Sequence, residues 1–93
     1  MAEAYIVDAV RSPTGRRKGG LAHVHGADLG GHVLKAIVER NGIPDNEYDD
    51  VIFGCVDTIG PLAGDIARSA WLAAGLSQEV PGTTIDRQCG SSQ

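Results

Sequence analysis

An α/β chain built on parallel strands is what this sequence predicts, and three observations predict it. Apolar runs alternate with amphipathic stretches in the order strand, helix, strand, helix, strand, then the start of a helix. Alternation of that kind joins parallel strands by right-handed crossovers. Two of the runs, Ala4–Val10 and Val51–Val56, are nearly continuous in apolar residues, as in strands covered on both faces. Glycine and proline punctuate the joints at Gly42, Pro44, Gly60, Pro61, Gly75 and Pro81. The spacing predicts strands near Ala4–Val10, Val51–Val56 and Thr83–Asp86, with helices near Asp28–Asn41 and Asp65–Ala74.

Composition limits what such a chain can be. Its 93 residues suffice for one small domain. Hydrophobic residues at 42% and charged residues at 22% are ordinary for a folded chain rather than a disordered one. Aromatics are only 4%, so the core must rest on Ala, Val, Ile and Leu. A formal net charge of -4 counts against nucleic-acid binding. No apolar run is long enough to cross a bilayer. The opening Met1-Ala2-Glu3-Ala4-Tyr5 has no basic segment leading into an apolar one, so no secretory signal is read there. A cytoplasmic, reducing location is therefore expected, with Cys55 and Cys89 as free thiols.

Taken in order, the first run ends at Arg11-Ser12-Pro13-Thr14-Gly15, where Pro and Gly make a turn. Arg16-Arg17-Lys18-Gly19-Gly20 is a short basic loop. It lacks the spacing of a phosphate loop and reads as solvated surface. His23 and His25 lie two apart with no set of Cys, Asp or Glu ligands near them, so no metal is expected. In the first helix Leu29, Val33, Ala36 and Ile37 fall at i, i+4, i+7 and i+8, one apolar stripe. His32 reads as surface. Gly42 stops this helix and Pro44 forbids its continuation. Gly30 and Gly31 weaken its first turn by about 1 kcal/mol each, which suggests that another backbone comes close there.

An acidic connector, Asp45 to Asp50, leads to the second strand. Gly54 in that strand marks a close backbone neighbour, and Cys55 reads as core. In the second helix Ile66, Ala70, Ala73 and Ala74 form the expected buried stripe. Trp71 sits beside it as a core anchor whose indole N–H needs a partner.

The chemistry concentrates at Thr83-Thr84-Ile85-Asp86-Arg87-Gln88-Cys89-Gly90-Ser91-Ser92. A cysteine between a strand and the first turn of a helix has its thiolate favoured by the unpaired N–H groups of that turn. The thiolate is the nucleophile, and the small residues beside it leave room for a substrate. Ligands of open parallel sheets collect at the carboxyl ends of strands, where Cys89 falls. The bland alternative is a buried, inert cysteine.

Several segments together resemble the thiolase family. They are Arg11-Ser12-Pro13 after the first strand, Gly54-Cys55-Val56, Ala70-Trp71, and Cys89-Gly90-Ser91-Ser92. The resemblance runs over the whole chain. It implies the layered αβαβα thiolase fold, built from two similar halves, with this chain as the first β-α-β-α-β part of the N-terminal half. It implies an acetyl-CoA C-acyltransferase acting on 3-ketoacyl-coenzyme A, with coenzyme A as co-substrate and no permanently bound cofactor. The setting it implies is β-oxidation and lipid metabolism. It implies a homodimer or tetramer in which the strand before the cysteine lies at the subunit contact. By this resemblance Cys89 carries the acyl group, and its backbone N–H helps to hold an oxyanion.

A catalytic histidine and a second cysteine belong to later segments of such enzymes. His23, His25, His32 and Cys55 match neither, and no coenzyme-binding residue is assigned. Asp86 stands where many thiolases carry Asn, and Ser92 where they carry Gly, which leaves the substrate subclass open. The chain stops at Gln93, just after Cys89. It is therefore expected to be part of a longer polypeptide and inactive alone. A ketoacyl-synthase-like condensing enzyme shares the fold and nucleophile, but the Arg-Ser-Pro opening counts against it. An inert scaffold subunit predicts an unreactive Cys89. A nucleotide-binding module wants Gly-x-Gly-x-x-Gly after the first strand, which is absent.

Overall fold

The computed structural model describes residues 2–93. Helix α1 runs Gly26–Asn41, strand β1 Val51–Gly54, helix α2 Ile66–Ala73 and strand β2 Gly82–Ile85, with short 3-10 turns at Asp45–Glu47 and Gly60–Leu62. β1 and β2 pair in parallel, Val51 opposite Gly82 and Gly54 opposite Ile85, and α2 lies in the connection between them. The ladder is extended at both ends, by Val51 N–H donating to the Pro81 carbonyl at 3.0 Å and Cys55 N–H to the Ile85 carbonyl at 3.0 Å.

Local chemistry sets the helix ends. The N–H of Ala27 donates to His25 Nδ1 at 3.0 Å, so His25 caps α1. Gly42 closes α1 in the left-handed conformation, φ 65°, as its type and position predict. Asp65 is the cap of α2, accepting from the Arg68 N–H at 3.4 Å and from the Thr84 hydroxyl at 2.8 Å. One carboxylate thus ties the start of α2 to the middle of β2.

The core cluster is Val38, Val51, Ala67, Trp71 and Val80, with Leu34, Ile37, Tyr48, Phe53 and Leu76 packed against it. Trp71 is almost wholly buried. Its indole N–H donates to the Ser77 carbonyl at 2.6 Å, and its ring meets Tyr48 edge-on with centroids 5.7 Å apart. The expected partner for the indole is therefore a backbone carbonyl in the loop that follows α2. Arg68 fastens the same loop by donating to the carbonyls of Gln78, at 2.7 Å, and Val80.

The buried side of α1 differs from the stripe its apolar residues draw. Ala27, Gly31 and Val38 are the buried positions, while Leu29, Val33, Ala36 and Ile37 are half-buried. The reason is the glycine pair. A Cβ on Gly31 would stand 2.9 Å from the Ala70 carbonyl oxygen, and one on Gly30 3.1 Å from the Ala70 methyl. The close backbone neighbour expected at Gly30 and Gly31 is α2. In α2 the buried residues are Ile66, Ala67, Ala70 and Trp71, and Ala73 is exposed rather than part of the stripe.

Ala4–Val10 is not a strand. Among the described residues no backbone hydrogen bond joins it to β1 or β2, and Tyr5, Ile6 and Val7 are exposed, Ile6 at 92%. An apolar run becomes a strand only where a neighbouring backbone satisfies its N–H and C=O groups. Here the segment is held by an ion pair at 3.2 Å between Asp8 and Arg40 of α1. β1 likewise buries one face rather than both. Val51 is buried and Phe53 half-buried, while Ile52 between them is 67% exposed.

Candidate active site

The parallel pair delivers two cysteines to one end of the sheet. β2 ends at Ile85, and the Asp86 carboxylate accepts the Gln88 N–H at 2.9 Å, a local turn that suits Asp. Gln88 then takes a left-handed conformation, φ 55°. That conformation costs a residue other than glycine about 1–3 kcal/mol and persists only where its surroundings hold it. The Ser91 hydroxyl holds it here. It accepts from the Arg87 N–H at 2.9 Å and donates to the Gln88 carbonyl at 2.7 Å, bracketing Cys89 from both sides.

Cys89 is exposed and carries a free thiol. Its small neighbours do what their size predicts, because Gly90 and Ser91 leave the sulfur open while folding the chain back. No α-helix follows. Successive i→i+3 bonds run from Gly90 N–H to Arg87 (3.1 Å), Ser91 N–H to Gln88 (3.3 Å) and Gln93 N–H to Gly90 (3.0 Å). The expected start of a helix is instead these three tight turns among the described residues, closed by i→i+3 bonds rather than the i→i+4 bonds of an α-helix.

Cys55 is not a core residue. β1 ends one residue before it, the side chain is half-buried, and its thiol donates to the Asp57 carbonyl at 3.5 Å. Cys55 and Cys89 line the same open cavity of ≈ 470 Å³, with Gly54, Val56, Gln88, Ser91, Ser92 and Gln93. The apolar run had concealed this, because hydrophobicity says nothing of where a strand stops. The informative signal was Gly54. It marks a close approach, and what approaches is the segment that follows Cys89: a Cβ on Gly54 would lie 2.5 Å from the Ser92 nitrogen.

The other singled-out residues lie elsewhere. None of the histidines lines the cavity of Cys89. His23 and His25 border a separate hollow with Asp57, Ile59 and Leu62, and His32 is exposed on α1. Among the described residues no group of three metal-ligating side chains comes together, and no helix is long and apolar enough to cross a membrane. Arg16, Arg17 and Lys18 form an exposed turn, with Lys18 at φ 56°.

Comparison with known proteins gives the family of the chain. The model of the thiolase N-terminal domain matches residues 4–93. A steroid 3-ketoacyl-CoA thiolase of Mycobacterium tuberculosis is 56% identical over 93 residues, covering 100% of this chain and 23% of that protein. A beta-ketoadipyl-CoA thiolase of Acinetobacter baylyi is 48% identical over 93 residues, covering 99% and 23% respectively. The crystal structure of the Bacillus anthracis acetyl-CoA acetyltransferase matches with a TM-score of 0.78 at 42% identity, over 88% of this chain and 21% of that one. The chain thus spans 23% of the length of these curated relatives. A domain match from residue 4 to the last residue, joined to an identity of 56%, leaves one conclusion: the chain belongs to the thiolase family.

Proposed function

We propose that Cys89 is the acyl-accepting nucleophile of a thiolase that cleaves 3-ketoacyl-coenzyme A with coenzyme A, or runs the reverse condensation. The observation that carries this reading is the exposed Cys89 thiol, held on a strained turn at the carboxyl end of β2. The names of the relatives, a steroid 3-ketoacyl-CoA thiolase and a beta-ketoadipyl-CoA thiolase, support the substrate class.

In the proposed reaction the Cys89 thiolate attacks the keto carbon. The carbon–carbon bond to the acetyl-coenzyme A part breaks, and the departing enolate takes up a proton. The acyl group stays on Cys89 as a thioester. The thiolate of coenzyme A then attacks that thioester, a tetrahedral oxyanion forms, and collapse releases acyl-coenzyme A and the Cys89 thiolate. A backbone N–H at Cys89 stabilises the oxyanion, a contribution of about 3–4 kcal/mol for a well-placed donor. The groups that move protons come from segments outside this chain. The activity, like a homodimeric or tetrameric assembly and a cytoplasmic role in lipid breakdown, therefore belongs in this proposal to a polypeptide of the relatives' length.

The test is substitution in that polypeptide. Cys89→Ser should lose nearly all thiolysis of a 3-ketoacyl-coenzyme A, because a hydroxyl is a far weaker nucleophile at neutral pH. Retained turnover in Cys89→Ser would overturn the assignment.

A further inference from the structure

We infer that Cys55 and Cys89 form an oxidisable dithiol pair, closed by peroxide into an intrachain disulfide that takes the nucleophile out of use. Three observations converge on it. Both thiols are free, and both line one open cavity. The segment after Cys89 lies directly on the end of β1, for a Cβ on Gly54 would stand 2.5 Å from Ser92 N and 2.6 Å from the Ser91 carbonyl carbon. Cys55 itself is joined to β2 through its N–H to the Ile85 carbonyl at 3.0 Å, so its backbone is fixed against the strand that leads to Cys89. Gln88, in its left-handed conformation, lines the same cavity as Cys55 and Cys89.

The chemistry balances with hydrogen peroxide as oxidant. The Cys89 thiolate attacks one peroxide oxygen, an S–O bond forms, the O–O bond breaks, and the departing hydroxide takes a proton from solvent to leave as the first water. Cys89 is then a sulfenic acid, two electrons more oxidised. The Cys55 thiolate attacks that sulfur, the S–S bond forms, the S–O bond breaks, and the departing hydroxide takes a proton to leave as the second water. A dithiol reductant reverses the outcome by thiol–disulfide exchange. Without Cys55 the sulfenic acid loses the resolving thiol that this chain supplies and is more open to irreversible oxidation. The half-buried Cys55 thus acts as a resolving thiol, a role that its place inside an apolar run hides.

The proposal shares with the preceding section only the reactivity of Cys89. Peptide mapping after a brief, limiting dose of hydrogen peroxide tests it on the native protein. Trypsin should yield the peptide Asn41–Arg68 joined to the peptide that begins at Gln88, with a loss of two hydrogens and full reversal by dithiothreitol. In the Cys55→Ser variant the same dose should leave Cys89 as a sulfenic acid that dimedone traps, and excess peroxide should carry it to sulfinic or sulfonic acid that dithiothreitol cannot restore. Wild-type protein that yields over-oxidised Cys89 beside unmodified Cys55, or only Cys89–Cys89 links between chains, would overturn the pairing. Iodoacetamide labelling of the reduced protein reads Cys89 reactivity separately, so failure of the pair is distinguishable from failure of the nucleophile.

Discussion

Gly54 and Ser92 are in direct backbone contact: where a Cβ would stand on Gly54, the Ser92 nitrogen and Oγ lie 2.5 Å away. The end of β1 is therefore the floor on which the turn carrying Cys89 rests. A methyl group there must push the turn away, since the opposing atoms belong to backbone as well as side chain. Gly54→Ala should destabilise the protein by about 1–3 kcal/mol and displace Cys89. In the complete enzyme it should lower thiolysis more than Ile52→Ala, which alters an exposed neighbour on the same strand. Urea unfolding with activity assays measures both, and unchanged stability in Gly54→Ala would refute the contact.

Cys89 should react before Cys55. One thiol is exposed, whereas the other is half-buried and donates to the Asp57 carbonyl. Brief treatment with limiting iodoacetamide at neutral pH, followed by peptide mapping, should find label on Cys89 first. Acyl-coenzyme A substrate should protect Cys89 in the complete enzyme by acylating it. Equal early labelling of the two cysteines would contradict the geometry.

Gly31→Ala sets two effects against each other. Alanine favours a helix interior over glycine by about 1 kcal/mol. Against that, the new methyl would stand 2.9 Å from the Ala70 carbonyl oxygen and 3.2 Å from the Ala74 nitrogen, both backbone atoms of the α2 region. Overpacking against backbone costs about 1–3 kcal/mol, so the variant should be net destabilised. Thermal unfolding that shows a raised midpoint would mean that the helices have room to separate.

Asp65 and Thr84 should be energetically coupled. The Thr84 hydroxyl donates to the same Asp65 oxygen that accepts from the Arg68 N–H. Asp65→Ala should cost about 1–2 kcal/mol through lost capping, and Thr84→Val about 1 kcal/mol through the lost hydrogen bond. The double variant should cost less than the two together by about 0.5–1 kcal/mol. Strict additivity in a double-mutant cycle would show that the cap and the strand are independent.

Trp71→Phe should be destabilised by about 1–3 kcal/mol, because the Ser77 carbonyl loses its indole donor as the core loses volume. Chemical denaturation measures it. A loss no greater than that of an exposed Leu72→Ala control would remove Trp71 from its place as core anchor.

Much of the chain was legible from local chemistry alone. Gly42 and Trp71 do what their residue types predict, because left-handed closure and the need of a buried indole for an acceptor are settled within a few residues. The parallel order of β1 and β2 followed from the helix between them, and Cys89 was marked by its small neighbours after a strand. Tertiary structure alone decided the rest. Ala4–Val10 has the residues of a strand but no paired backbone among the described residues, so it carries no regular structure and meets α1 through the ion pair of Asp8 and Arg40. The inner side of α1 is set by Gly30 and Gly31 meeting α2, which hydrophobic spacing does not register because glycine carries no side chain to count. Cys55 left the core for the cavity of Cys89 because β1 stops at Gly54, and where a strand stops is fixed by what packs across its end.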